Sequence, residues 1–224
     1  MNSREFARRR RTLQQQMADR SLAIVPAAPH PIRNRDVEYP YHPDSDFYYL
    51  TGFAEAEALL LLKRVGRKFT WMLFCQERNP EMEQWTGERL GTERAVTELG
   101  AHQAWPIEQW EKQLPELLTG VEQLYFNLGD STPVEQALLK QLKQFRQRNR
   151  AGVIFPLSIH TLDPLLHEMR LIKSSAELKA MRKAATISAQ AHRHAMQQCH
   201  IGMSEQQLEG EILHQFNQQG SRTV

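Results

Sequence analysis

HPDSDFYYLTGFAEAEALLLLK, residues 42–63, orders the reading of the whole chain, because it joins an acidic loop, an aromatic run, a Gly turn and an apolar run. FYYL (47–50) is rich in the aromatic residues that strands favour. Gly52 supplies a turn, and EALLLLK (57–63) reads as a buried strand. With FTWMLF (69–74), set off by VGRK (65–68), the stretch predicts three strands in a sheet meander.

Upstream, Phe6, Leu13 and Met17 recur at helical spacing and predict an amphipathic helix over Ser3–Met17. SLAIVPAAP (21–29) reads as a short buried strand ended by Pro26, and residues 30–46 as a charged, proline-bearing loop of a length often found at functional sites. Downstream, helical patterning returns near Met82–Leu90 and Ile107–Leu118, with LYFN (124–127) as a further strand. Thr132, Pro133 and Glu135 specify a helix start as cap, first helical residue and capping-box acid, with the helix running to about Gln147. GVIF (152–155) reads as another strand. From Ser174 onward strand patterning ends: Ser174/Glu177 and Ser204/Gln207 are capping boxes, and Gly202 is placed to end the helix between them. An α/β unit up to Lys173 and a helical hairpin after it follow from this change.

A chain of 224 residues, 41% hydrophobic and 24% charged, holds one full core and the start of a second. Its net charge of +2 gives no support to a nucleic-acid or membrane-surface partner. The apolar run Ala58–Leu62 falls far short of the roughly 20 residues that cross a bilayer, and MNSREFARRRR lacks the apolar core of a signal peptide. Cys75 and Cys199 form no C-x-x-C, so a soluble protein in a reduced, cytoplasmic setting is expected.

The candidate chemical groups are scattered. His192 and His194 are two apart and point to different faces of a helix, whereas helical ligand pairs sit three or four apart. His200 and His214 are separated by a turn, and Glu205, Glu209 and Glu211 read as a solvated helix side. Asp44 and Asp46 suit turn capping better than an acid–base pair. Arg8–Arg11 spread around a helix, which predicts a solvated helix with some pairing to neighbouring acids rather than a nucleic-acid stripe. The common phosphate-loop, hydrolase and zincin motifs do not occur. Trp85, in EMEQWTGERLG, has few apolar neighbours in sequence; it is either a packing residue or a contact surface for a ligand or another subunit.

EYPYHPDSDFYYLTGFAEAEALLLL (38–62), WTGERLG (85–91) and HEMRLIKSSAELKAMRKAATISAQAHRHAM (167–196) together resemble the N-terminal half of the bacterial Xaa-Pro aminopeptidases (aminopeptidase P), within the creatinase/prolidase superfamily. The resemblance implies a creatinase-type α/β domain with a mixed sheet and flanking helices over 1–173. It also implies that 174–224 is the opening helical hairpin of a truncated pita-bread domain. For the full-length family it implies two divalent metals, usually manganese, held by two aspartates, a histidine and two glutamates. It further implies peptide substrates with proline in second position, a homodimer or homotetramer, and no nucleic-acid or membrane partner. None of those ligands matches a position in this sequence, so no metal or catalytic residue is assigned to it. Trp85 matches a tryptophan that reaches a neighbouring subunit's active site, and Arg150 an arginine near the cleft; these are the substrate-binding candidates. On this reading the 224-residue chain is inactive by itself and supplies scaffold and oligomer contacts. A metal-free peptide- or protein-binding module and a prolidase-type dipeptidase remain the alternatives.

Overall fold

The computed structural model describes residues 3–35, 37–129, 132–147 and 152–221. The chain divides into two compact units between Arg170 and Leu171. In the first, α1 (Ser3–Gln16), β1 (Ser21–Pro26), the hairpin β2 (Ile32–Asn34) and β3 (Val37–Glu38), and α2 (Ser45–Thr51) come before a central hairpin. That hairpin is β4 (Leu59–Val65) and β5 (Lys68–Cys75), followed by α3 (Pro80–Thr86), α4 (Gly91–Thr97) and β6 (Gln103–Pro106). A 3-10 turn at Ile107–Gln109 leads into α5 (Trp110–Leu118), β7 (Gln123–Tyr125), α6 (Pro133–Gln147), β8 (Ser158–His160) and α7 (Asp163–Leu171). The second unit is built on α8 (Ser175–Gln198) and α9 (Glu205–Gln218).

The main sheet runs in the order β6-β5-β4-β1-β7-β8. β4 is antiparallel to both β1 and β5, whereas β1, β7 and β8 are parallel to one another and β6 is parallel to β5. The four consecutive leucines of β4 explain how helices cover both faces. Alternate side chains of a strand point to opposite sides, so Leu60 and Leu62 join Ala23, Val25, Trp71 and Leu73 under Leu13 of α1 and Phe47 of α2. Leu59 and Leu61 join Leu22, Ile24, Met72 and Phe74 under Leu114 of α5 and Leu138 of α6. An unbroken apolar run is what a strand buried on both faces requires.

Several expectations change. FYYL is helical, not a strand. Asp44 Oδ1 accepts from the backbone N–H of Asp46 (3.0 Å) and Phe47 (2.8 Å), and Gly52, at φ 69°, closes the helix by donating to Tyr48 O. Capped at both ends, the segment buries Phe47, Leu50 and Thr51 at helical spacing, and the aromatic preference for strands is overridden. A Cβ on Gly52 would lie 2.5 Å from the Phe6 ring, so α1 itself requires glycine there. The meander is therefore the β4–β5 hairpin alone, with β1 on its other flank.

GVIF carries no strand either. Pro156 removes a ladder donor, and pairing to β7 begins only at Ser158. Phe155 instead stacks on Phe145 of α6, with ring centroids 5.5 Å apart.

The arginine run is solvated on one side only: Arg8 and Arg11 are exposed, whereas Arg9 and Arg10 are buried. Arg9 lies over the Tyr49 ring at 4.0 Å and donates to Tyr49 O (3.1 Å) and Glu5 (2.9 Å). Arg10 lies over Trp71 at 3.9 Å and donates to Leu50 O (2.8 Å). These carbonyls belong to the last turn of α2, where helical partners run out and cations are favoured.

In the second unit both capping boxes form, on Ser174 with Glu177 and on Ser204 with Gln207. α8 ends at Gln198 with Cys199 as its cap, and Gly202 lies in the turn beyond.

Two tests follow from this packing. Arg10→Ala should cost about 3 kcal/mol in urea unfolding, through the lost stacking on Trp71 and an unpaired Leu50 carbonyl, while Arg8→Ala stays within about 0.5 kcal/mol. Burial pushes the Cys75 thiol up to about 12, whereas Cys199 is exposed. An aromatic disulfide reagent at mildly alkaline pH should therefore titrate one thiol in the native chain and the second only after unfolding.

Candidate functional site

The residues singled out by sequence do not converge on one centre. Asp44 is the cap of α2. Asp46, on the first turn of the same helix, is ion-paired with Arg170 of α7, so the two aspartates hold structure instead of sharing a proton. Asp46, Asp163 and His167 bring ligand atoms within 4.8 Å of one another. Arg170 already neutralises Asp46, and Asn127 Nδ2 donates to Asp163 at 2.6 Å. The group ties α2 and α7 to the carboxyl end of β7, helped by Tyr49, whose hydroxyl donates to Met169 O (3.0 Å). Asn127 Oδ1 completes the junction by accepting from Leu162 N and the Thr161 hydroxyl, each at 2.7 Å.

In the second unit His194 Nε2 meets a Glu211 oxygen at 2.8 Å, a pairing across the hairpin that the helical spacing of the histidines did not reveal. His192 is exposed and apart from it. Arg150 lies outside the described residues.

Among the described residues, Trp85 is the candidate that the fold presents. It is 81% exposed on α3, and Met82, one turn earlier, is also exposed. A large aromatic so open needs a rigid support if it is to act as a contact, and α3 has one. Asn79 accepts from Glu81 N (3.1 Å) and Met82 N (3.2 Å), and Pro80 occupies the first turn. Arg78 grips Glu83 through Nε and Nη2 (3.2 and 2.8 Å) and holds that carboxyl below its ordinary range. Gly87, at φ 88°, ends the helix. The following segment is pinned by the Glu55 carboxylate, which accepts from Leu90 N at 2.8 Å and is itself pushed up by burial. Gly91, at φ 71°, packs so closely that a Cβ would sit 2.7 Å from Arg78 Cγ. Sequence patterning runs this region as one helix to Leu90; the structure breaks it at Gly87 and starts α4 at Gly91.

The fold is an α/β layer structure around a mixed sheet, joined to a helical hairpin that lacks a metal-ligand cluster among its described residues. Residues 6–125 match the family model for the aminopeptidase P N-terminal domain, and residues 179–224 match that for metallopeptidase family M24. The chain belongs to the aminopeptidase P family.

The Xaa-Pro aminopeptidase of Escherichia coli is 39% identical over 223 residues, covering 99% of this chain and 51% of that protein. Its counterpart in Haemophilus influenzae is 34% identical, covering 97% and 48%. Proline aminopeptidase P II from Yersinia pestis superposes with a TM-score of 0.94 at 41% identity, again over 99% of this chain and 51% of that one. The chain thus spans about half the length of the relatives it matches. The five-ligand set that the family resemblance implies does not fit the described residues, whose metal-capable cluster of two aspartates and a histidine sits in the α/β unit, with Asp46 already paired to Arg170.

Loss of the α3 cap gives a local test. Asn79→Ala should cost about 1 kcal/mol at that helix, so amide exchange at Glu81 and Met82 should quicken about 5-fold while exchange in β4 is unchanged.

Proposed function

We propose that this chain is the N-terminal part of a metal-dependent aminopeptidase that removes the first residue from peptides with proline in second position. The observation that carries this reading is the match along 99% of the chain to Xaa-Pro aminopeptidases. The division proposed is an α/β domain over 1–173 and the start of the metallopeptidase domain over 174–224. Two family matches, at 6–125 and 179–224, support it.

In the whole enzyme two divalent ions, manganese on this proposal, would lower the pKa of a bridging water and stabilise charge on the scissile carbonyl oxygen. The described residues supply no ligand set for that chemistry, and their part is scaffold and contact. Trp85, held outward by α3, is the residue proposed to reach a peptide in a neighbouring subunit of a homodimer or homotetramer. Its 81% exposure on a braced helix supports this reading. Arg150 is proposed as a second substrate contact, on the family resemblance alone. A cytoplasmic location completes the proposal. A nucleic-acid role for the arginine run loses ground because Arg9 and Arg10 face the protein interior.

Purified 1–224 chain with manganese should release no amino acid from tripeptides with proline in second position, and release by that chain would overturn the reading. In a polypeptide of the relatives' full length, Trp85→Ala should lower kcat/KM about 10-fold, the worth of one well-placed aromatic contact. Unchanged kinetics would remove Trp85 from the site. Dipeptide turnover in preference to tripeptides would favour the prolidase alternative.

A further inference from the structure

Arg10 is a buried cation without a counter-charge. It is 4% exposed, and its guanidinium has the Trp71 face and the Leu50 carbonyl, yet among the described residues no carboxylate pairs with it. Its Nε–H is sealed from solvent and unpartnered. Arg9, one residue earlier, has Glu5 at 2.9 Å. Burial without compensation lowers the Arg10 pKa to about 10, so the side chain remains charged at neutral pH. A buried charge without a partner is costly, and a bound ion of opposite sign in the adjoining cleft relieves that cost.

The surroundings point to the sign of that ion. Arg10 and Trp71 line a cleft of about 390 Å³ between α1 and the segment joining α4 to β6, together with Arg4, Arg11 and His102. His102 Nδ1 accepts from Trp71 N (3.1 Å), which places the proton of a neutral ring on Nε2 and makes that atom a donor. The acid on the rim, Glu98, is already engaged by Arg94 through Nε and Nη2. The guanidinium groups of Arg10 and Arg11 and an imidazole donor around one concavity suit the planar, forked recognition of an oxyanion.

We propose that this cleft binds a small oxyanion, of phosphate or carboxylate type, that supplies the missing counter-charge to Arg10. The site is independent of the proposed peptidase chemistry and lies wholly within the α/β unit. Its occupant neutralises α1 where that helix meets the sheet, so binding and the stability of this packing are linked.

Calorimetric titration of the purified 224-residue chain at neutral pH, with sodium phosphate and separately with sodium acetate, tests it. Sodium chloride at matched ionic strength is the control. Saturable heat with phosphate or acetate and none with chloride is expected, and the two arms identify the anion type. Arg11→Gln, at an exposed position, keeps the fold and should weaken that binding about 10-fold, the worth of one charge-assisted hydrogen bond. Arg10→Met, if folded, should abolish it. Heats that match chloride for both anions would overturn the proposal, as would saturable binding unaltered by Arg11→Gln.

Discussion

Two arginines at the end of a seven-residue helix hold the first unit together. A helix as short as α2 has little intrinsic stability, since nucleation consumes most of what its few hydrogen bonds return. Its N-terminus is satisfied locally by Asp44, but the carbonyls of Tyr49 and Leu50 depend on Arg9 and Arg10, some 40 residues away in sequence. The same side chains stack on Tyr49 and Trp71, so one pair of contacts fixes α1, α2 and β5 at once. The device recurs at the C-terminus of α1, where Arg64 of β4 donates to the carbonyls of Gln14, Gln15 and Met17. In both cases a guanidinium adds what a local glycine cap such as Gly52 cannot: it takes up carbonyls of the last turn and attaches that turn to another element.

This arrangement depends in turn on β4. Because its leucines are buried on both faces, the strand cannot shift register by one residue without exchanging the contents of the two cores. Its pairing with β1 sets Arg64 opposite Ser21 and Lys63 opposite Leu22, which brings Arg64 to the end of α1. Gln14 of α1 reads the same register, donating to Lys63 O (3.3 Å) and Thr70 O (2.9 Å) on the paired strands β4 and β5.

Much of this architecture was legible in the sequence where the signal is local. The buried strands β1, β4 and β5, the Thr132 start of α6 and both capping boxes of the second unit come from residues adjacent in the chain. What escaped was non-local. Nothing near FYYL announces that arginines from α1 will complete its last turn, and nothing near Arg9 and Arg10 announces the aromatic faces that receive them. β6 was missed because a four-residue strand, QAWP, has no periodicity to read and exists only through its parallel pairing to β5. Of the candidate site, Trp85 stood out as an aromatic among polar residues, whereas the salt-bridged junction of Asp46, Asp163 and His167 joins α2 to α7 across more than a hundred residues.

The second unit rests on a different balance. Its core is Ile187, Ala191 and Phe216, with Ile212 packed against them, while Met181, Met196, Ile201 and Leu213 are exposed. Burying an isoleucine or phenylalanine contributes about 2 kcal/mol each, whereas ordering each residue costs about 1–2 kcal/mol in backbone entropy. The capping boxes and the His194–Glu211 contact add about 1 kcal/mol apiece at most. Two helices of 24 and 14 residues are therefore held by far fewer buried side chains than the sheet unit places on either face of β4. Local opening should begin in this hairpin, because the free energy of opening follows buried apolar contact and not helix length. Good capping sets where α8 and α9 start; it does not supply the packing that would keep them folded.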